Sequence, residues 1–321
     1  MIYACMDRDK LDMVEITTDN YALLKEAVWI DLLTPTREEE QLVEGFLQFE
    51  IPTREDMVEI ELSSRLYKEN DMLFMTATMI AQSDSLDPKH DPVTFILSRQ
   101  QLITIRYIEP LSFKLVIAHL KRLVRHNAET IFIELLDATV DRLADILELV
   151  GRRLDDYSKT LFRPQNDKDD KLDYQQLILT IGANGELNTK ARESLVTFNR
   201  LITFLGQTGN TTVDDEGHQR LITLSKDIVS LSDHVNFLSS RVNFLLDATL
   251  GMVNIEQNNI IKIFSVAAVI FLPPTLVASI YGMNFHFIPE LAWHYGYFFA
   301  IGMIIFAAWV PYKYFKYKKW L

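Results

Sequence analysis

Residues 263–290 read IFSVAAVIFLPPTLVASIYGMNFHFIPE, and up to Pro289 the stretch holds no Lys, Arg, Asp or Glu. Its apolar part, IFSVAAVIFLPPTLVASI, at ~1.5 Å per residue is just long enough to cross a ~30 Å hydrocarbon layer. Leu291–Tyr312 is a second uncharged run, with Trp293, Tyr295, Tyr297, Trp309 and Tyr312 grouped at its two ends as interfacial aromatics. Either run alone would also suit a buried core helix. Two in succession, with aromatic ends and the terminal lysines beyond them, read as a membrane hairpin: a first span, an external loop over 283–290, a second span over 291–312 and a basic tail over 313–321.

Charge sets the expected orientation. Lys262 precedes the first span and Lys313, Lys316, Lys318 and Lys319 follow the second, whereas the connecting loop has no basic residue. Positive flanks stay cytoplasmic, so both termini are expected inside a cell (inner) membrane and the short loop outside. Of the 32 basic and 44 acidic residues, five lysines and one acid lie from Ile260 onward, which leaves 27 against 43 before it, a net charge of −16. Such an acidic body argues against nucleic acid as a partner and suits a cation. The single cysteine, Cys5, excludes an internal disulfide and a cysteine-based metal site. The opening MIYACMDRDKLDM is too charged for a secretory signal peptide.

Upstream of the hairpin the pattern changes twice. Over 1–109, the runs AVWIDLL (27–33), MLFMTATMI (72–80), VTFILS (93–98) and LITIRY (102–107) are β-branched and aromatic and read as strands. Thr36 with Glu39 and Thr53 with Asp56 have capping-box spacing, which predicts helix starts between them. This is a small α/β domain, within an overall α+β class. Over 110–220 helical spacing takes over: Leu136, Val140, Leu143, Leu147, Val150, Leu154, Tyr157 and Leu161 recur every three or four residues, with acids opposite. Breaks at 163–167 and 206–217 divide the helical region in three. In the third helix, expected over 221–282, Ile228, Leu231, Val235, Leu238, Val242 and Leu245 follow a 3,4 alternation that continues through Thr249 and Met252. A helix so long is too much for a small domain to bury, which favours packing against copies of itself.

The two spans differ in character. Ser265, Pro273, Pro274, Thr275 and Ser279 lie in the first, and the second is uniformly apolar and aromatic. Polar groups and proline-freed backbone at membrane depth face protein or a watery cavity, so the first span is the pore candidate and the second should face lipid. Phe264, Ala268, Leu272, Thr275 and Ser279 share one helical face. The span ends on Tyr281-Gly282-Met283-Asn284, followed by Ile288-Pro289-Glu290-Leu291.

That tetrapeptide resembles the Gly-Met-Asn signature of the CorA family of magnesium transporters, and YKYFKYKKWL is similar to that family's basic tail ending in Trp-Leu. The chemistry suits the residues. Mg²⁺ dehydrates reluctantly, so a fast filter should contact its water shell, and amide oxygens do so without the tight hold of a carboxylate ring. Around an axis, Asn284 side chains and Gly282 carbonyls would form such a ring through the hydration shell. Gly282 and Asn284 also suit a plain helix C-cap, with Gly282 free to adopt unusual dihedrals.

The resemblance implies a funnel-shaped homopentamer with a long stalk helix lining the pore. It further implies Mg²⁺ influx down the gradient and potential, and closure when intracellular Mg²⁺ neutralises acidic subunit interfaces. It puts an amide ring at Asn258. Thr275 and Asn258 are expected to contact hydrated ions, with Phe264 and Leu272 as an apolar gate or as ordinary packing. Asp247 lies off the seam, facing either the axis or water. His286 and Ile288 depart from the family's usual loop, leaving Glu290 as the acid that recruits cations. No cofactor is expected beyond Mg²⁺ as transported and regulatory ion, and Co²⁺ and Ni²⁺ resemble it when hydrated. Nothing at nucleophile–base or metal-ligand spacing suggests an enzyme. A zinc transporter of the same fold and a non-conducting, membrane-anchored helical sensor stay open as alternatives.

Overall fold

The computed structural model describes residues 1–6, 13–17, 19–59, 61–85, 87–120, 127–163, 172–208, 214–283, 293–318 and 320. They form two compact units, Met1–Leu245 and Leu246–Leu321.

The first unit is built on a seven-stranded mixed sheet. In chain order the strands are β1 (Ile2–Met6), β2 (Met13–Ile16), β3 (Ala27–Leu33), β4 (Leu66–Glu69), β5 (Met72–Ala81), β6 (Lys89–Leu97) and β7 (Leu102–Arg106). Their spatial order is β2-β1-β3-β7-β6-β5-β4, with β3 and β7 parallel and the other neighbours antiparallel. The four runs read as strands are β3, β5, β6 and β7. They occupy the sheet interior, where burial on both faces yields near-continuous apolar sequence. The strands not foreseen include the edges, β2 (MVEI) and β4 (LYKE), short and charged as unpaired edges need to be.

Both expected capping boxes are formed. Thr36 opens α1 (Arg37–Leu47) and Thr53 opens α2 (Arg54–Val58), each hydroxyl accepting from the third helical N–H while Glu39 or Asp56 reaches back. A short helix, α3 (Leu62–Arg65), leads into β4. Val43, Ile51 and Met57 join Ile30, Leu32, Phe74 and Ile103 in one core cluster. A second aromatic cluster joins Trp29 and Phe95 to Phe113 of α4 (Leu111–His119), and Phe95 to Phe132 of α5 (Ala128–Phe162).

Between β3 and β7 lies a buried charged network. Arg106 donates to both carboxylate oxygens of Asp31, at 2.8–3.2 Å, and to the Ile108 carbonyl, with its guanidinium over the Phe113 ring. Thr104 donates to Asp31 at 2.6 Å and accepts from the Trp29 indole. Each charge is therefore paired and hydrogen-bonded, the condition for tolerating an ion pair at these depths.

Three long helices follow: α5, α6 (Tyr174–Thr208) and α7 (Asp215–Tyr281), the last beginning six residues before the expected start at 221. The alternating seam of α7 is covered within the chain over 228–245. Ile228, Val235, Leu238, Val242 and Leu245 are buried within this single chain. Asn188 of α6 donates to the Val235 carbonyl and the Ser239 hydroxyl, and Gly185 brings α6 so close that an added Cβ would stand 3.1 Å from Val242. Arg220 of α7 pairs with Glu134 and Asp137 of α5, and Arg241 with Asp155. Periodicity identifies a buried face but not its partner, and here the partners are the chain's own α5 and α6.

The second unit contains the rest of α7 and α8 (Gly296–Tyr317), both long and apolar enough to cross a membrane. α8 extends to Tyr317, beyond the expected limit at 312, so Lys313 and Lys316 are helical. Val266 and Phe315 are buried, which a lone helix cannot provide, and Lys262 lies over the Trp320 ring.

Candidate functional site

The first-span residues all fall on α7, which stays helical through Pro273 and Pro274. Asn258, Phe264, Ala268, Leu272, Thr275 and Ser279 are all exposed, Phe264 at 72% and Leu272 at 66%. From Asn258 to Ser279 the row rises roughly 32 Å, about a hydrocarbon thickness. Val266, the residue that the second unit buries here, lies about 160° round the helix from the middle of the face bearing Phe264, Ala268, Leu272, Thr275 and Ser279, and about 80° from Asn258. The helix therefore covers one side within the chain and leaves the side bearing the candidate residues open.

Chemistry along this row is graded. Phe264 and Leu272 are apolar, Ala268 is small, and Thr275 and Ser279 carry hydroxyls. Prolines at 273 and 274 lack the N–H groups that would reach the carbonyls of Val269 and Ile270. The Thr275 hydroxyl donates to the Phe271 carbonyl at 2.7 Å. With its proton so engaged, the oxygen faces outward only as an acceptor. Water around a cation points its hydrogens away from the ion, so such an oxygen matches a hydrated cation.

At the end of α7, Tyr281 is half-buried, and Gly282 and Met283 are exposed. The Gly282 N–H donates to the Ala278 carbonyl and the Met283 N–H to the Ile280 carbonyl, a tightened last turn. No glycine among the described residues has positive φ, so Gly282 ends the helix without a left-handed turn. An added Cβ at Gly282 would stand 3.3 Å from the Ala278 carbonyl, a tight contact. The negative end of the α7 dipole lies here, favouring a cation. Asn284, His286, Ile288 and Glu290 lie outside the described residues.

Asp247 is exposed on α7, four heptads before Thr275, and has no ion-pair partner among the described residues. By contrast Glu134, Asp137, Asp145, Glu148, Asp155 and Asp156 pair with Arg or Lys of their own chain. Most of these carboxylates are still solvent-exposed, as the acidic faces suggested, and only the pairs of Glu134, Asp137 and Asp155 with α7 arginines reach beyond helical spacing. No cluster of three or more His, Cys, Asp or Glu with metal-binding geometry occurs among the described residues.

Three comparisons bear on this geometry. The family model described as "CorA-like Mg2+ transporter protein" matches residues 25–318. Proteins named "Magnesium transport protein CorA" from Pasteurella multocida and Salmonella typhimurium are each 34% identical, over 96% and 98% of both chains respectively. Among solved structures, the complete CorA magnesium transporter from Methanocaldococcus jannaschii superposes with a TM-score of 0.74 at 16% identity, covering 100% of this chain and 99% of that one. The ZntB cytoplasmic domain from Vibrio parahaemolyticus gives 0.55 at 11% identity over 79% of this chain and 98% of its own, a likeness of fold. With a family model spanning most of its length and relatives alike from end to end, the chain belongs to the CorA-like Mg²⁺ transporter family.

Proposed function

We propose that this chain is the subunit of a membrane channel that carries hydrated Mg²⁺ along the open face of α7. The observation that carries the reading is the exposed row Asn258, Phe264, Ala268, Leu272, Thr275 and Ser279. From Phe264 to Ser279 it lies on the side of α7 opposite Val266, and with Asn258 it runs a bilayer's thickness toward the sequence Tyr281-Gly282-Met283-Asn284. A face mixing hydroxyls with large apolar side chains is unstable toward lipid and pointless toward bulk water. Copies of the chain arranged around an axis give it a place, with hydroxyls and amides touching the ion's water shell and Phe264 and Leu272 closing the path by dewetting. The ring is a homopentamer, the number that the family resemblance implies.

In this arrangement, amide oxygens of Asn284 and carbonyls of Gly282 form the outer filter, Glu290 draws cations to it and Asn258 forms the inner amide ring. Both termini lie in the cytoplasm, as the lysines at 262 and 313–319 require. Inward flux follows the gradient and the membrane potential. Mg²⁺ bound near Asp247 on neighbouring copies holds the channel closed, because losing the ion leaves carboxylates to repel one another. Hydrated Co²⁺ and Ni²⁺ have similar size and charge and pass as well. Near full-length 34% identity to proteins named for magnesium favours Mg²⁺ over the zinc reading.

The test is ion uptake into liposomes carrying the full chain, with Mg²⁺ or Zn²⁺ outside, for the native sequence and Asn284→Ala. Mg²⁺ uptake exceeding Zn²⁺ uptake, and sharply reduced in Asn284→Ala, is the expected result. Zn²⁺ uptake with none of Mg²⁺ would establish the zinc alternative, and no uptake of either ion would leave a membrane anchor.

A further inference from the structure

The last two turns of α8 carry a repeated arrangement that has no part in the α7 row described above. Lys313 Nζ lies 5.5 Å from the centre of the Trp309 ring, and Lys316 Nζ lies 5.9 Å from that of Tyr312. In both pairs the aromatic residue sits one turn before the lysine. All four side chains are exposed, and they fall within about a third of the helix circumference. Phe306 stacks on Trp309 and extends the same face deeper into the apolar part of the helix.

Direction matters here. Side chains on a helix lean toward its N-terminus, and these lysines fold back over rings one turn, or roughly 6 Å, nearer the apolar segment. Their ammonium groups are thus drawn toward the membrane boundary, where Trp and Tyr rings settle, and away from the cytosol. No described carboxylate pairs with either lysine, and the only acid from Lys262 to Leu321 is Glu290 in the loop at the other end of the hairpin. Two cations without a carboxylate partner among the described residues, held side by side against apolar rings, match a molecule with a phosphate at one end and acyl chains at the other.

We propose that this end of α8 is a docking site for an anionic phospholipid of the cytoplasmic leaflet. The phosphate sits between Lys313 and Lys316, and the glycerol and upper acyl chains lie on Tyr312, Trp309 and Phe306. A protein carboxylate would satisfy the lysines but leave the three rings unmatched. The inference rests on the membrane orientation proposed above, since α8 must reach the inner leaflet with its C-terminus.

The experiment uses the full chain in detergent and follows its thermal midpoint during titration with dioctanoylphosphatidylglycerol, dioctanoylphosphatidylcholine or glycerol phosphate. The expected result is a rise with phosphatidylglycerol alone. Its apparent affinity should fall about fivefold for K313Q or K316Q and roughly thirtyfold for the double variant, while K313R/K316R retains most of it. An equal response to phosphatidylcholine, an equal response to glycerol phosphate, or an unaltered phosphatidylglycerol response in K313Q/K316Q would overturn the proposal. So would a K313Q/K316Q variant that lacks lipid selectivity but has a weakened oligomer, which would assign the lysines to protein carboxylates. Mg²⁺ uptake, measured on the same proteins in liposomes, separates the two ideas. Uptake without lipid selectivity removes only this site, and lipid selectivity without uptake removes only the transport reading.

Discussion

At the scale of single residues, the buried pair of Asp31 and Arg106 shows what local pattern cannot convey. Asp31 sits in the apolar strand AVWIDLL and its partner lies 75 positions away, so no spacing links them until β3 and β7 pair. Replacing Asp31 with Ala leaves a guanidinium buried without its counter-charge. The expected cost is ~3–5 kcal/mol in unfolding free energy, measured by chemical denaturation. His90 makes a second case. Burial pushes its imidazole below its ordinary 6.5, as does Lys190, while Glu193 and Asp91 pull it upward. Its Nδ1 is 3.6 Å from Glu193 and its Nε2 is buried with no hydrogen-bond partner among the described residues. The folded state therefore binds fewer protons than the unfolded chain, and stability rises with pH. The penalty grows as pH falls below 6.5 and is full beneath the depressed value. Denaturation midpoints compared at pH 5 and 8 should show this slope, and His90→Leu should flatten it. The Gly-Met-Asn motif was legible because it is contiguous. The pairing of Lys313 with Trp309 was not, because aromatic ends and basic flanks are separately expected of any span.

Elements were legible where their determinants are local. Thr36 with Glu39 and Thr53 with Asp56 specify helix starts within four residues, and both caps form. Thr36→Ala should therefore lower stability by ~1 kcal/mol, read as a shift in the denaturation midpoint at unchanged slope. The interior strands were readable from continuous β-branched and aromatic runs. The edge strands β2 and β4 were not, since charge and brevity, which protect an edge from wrong pairing, erase the same signal. The α7 seam was recognised as a buried row without its partner. A 3,4 repeat is indifferent to whether the covering helix belongs to the same chain, and only contacts such as Asn188 with Val235 and Ser239 decide it. With that row occupied by α5 and α6, other faces of α7 are left for neighbouring copies.

For the whole molecule, the division of labour follows charge. The residues before Ile260 carry a net charge of −16, and from Ile260 onward Glu290 is the one Asp or Glu in the sequence, so the charge that favours cations and the apolar surface that favours lipid are carried by different parts of the chain. Two spans, a Gly-Met-Asn end and a basic tail were sufficient to name the family from sequence. What the sequence could not supply was the open side of α7, because exposure depends on which face α8 and the tail cover. The proposed ion path runs along that side. It is tested most directly by Mg²⁺ uptake into liposomes carrying Thr275→Cys or Ser279→Cys, before and after a charged, water-soluble thiol reagent. The native Cys5 is buried and should contribute little background. Modification at 275 or 279 is predicted to abolish most uptake, with Ile305→Cys on the exposed surface of α8 unaffected. Uptake that persists after full modification at both α7 positions, or that is lost equally at 305, would contradict the account.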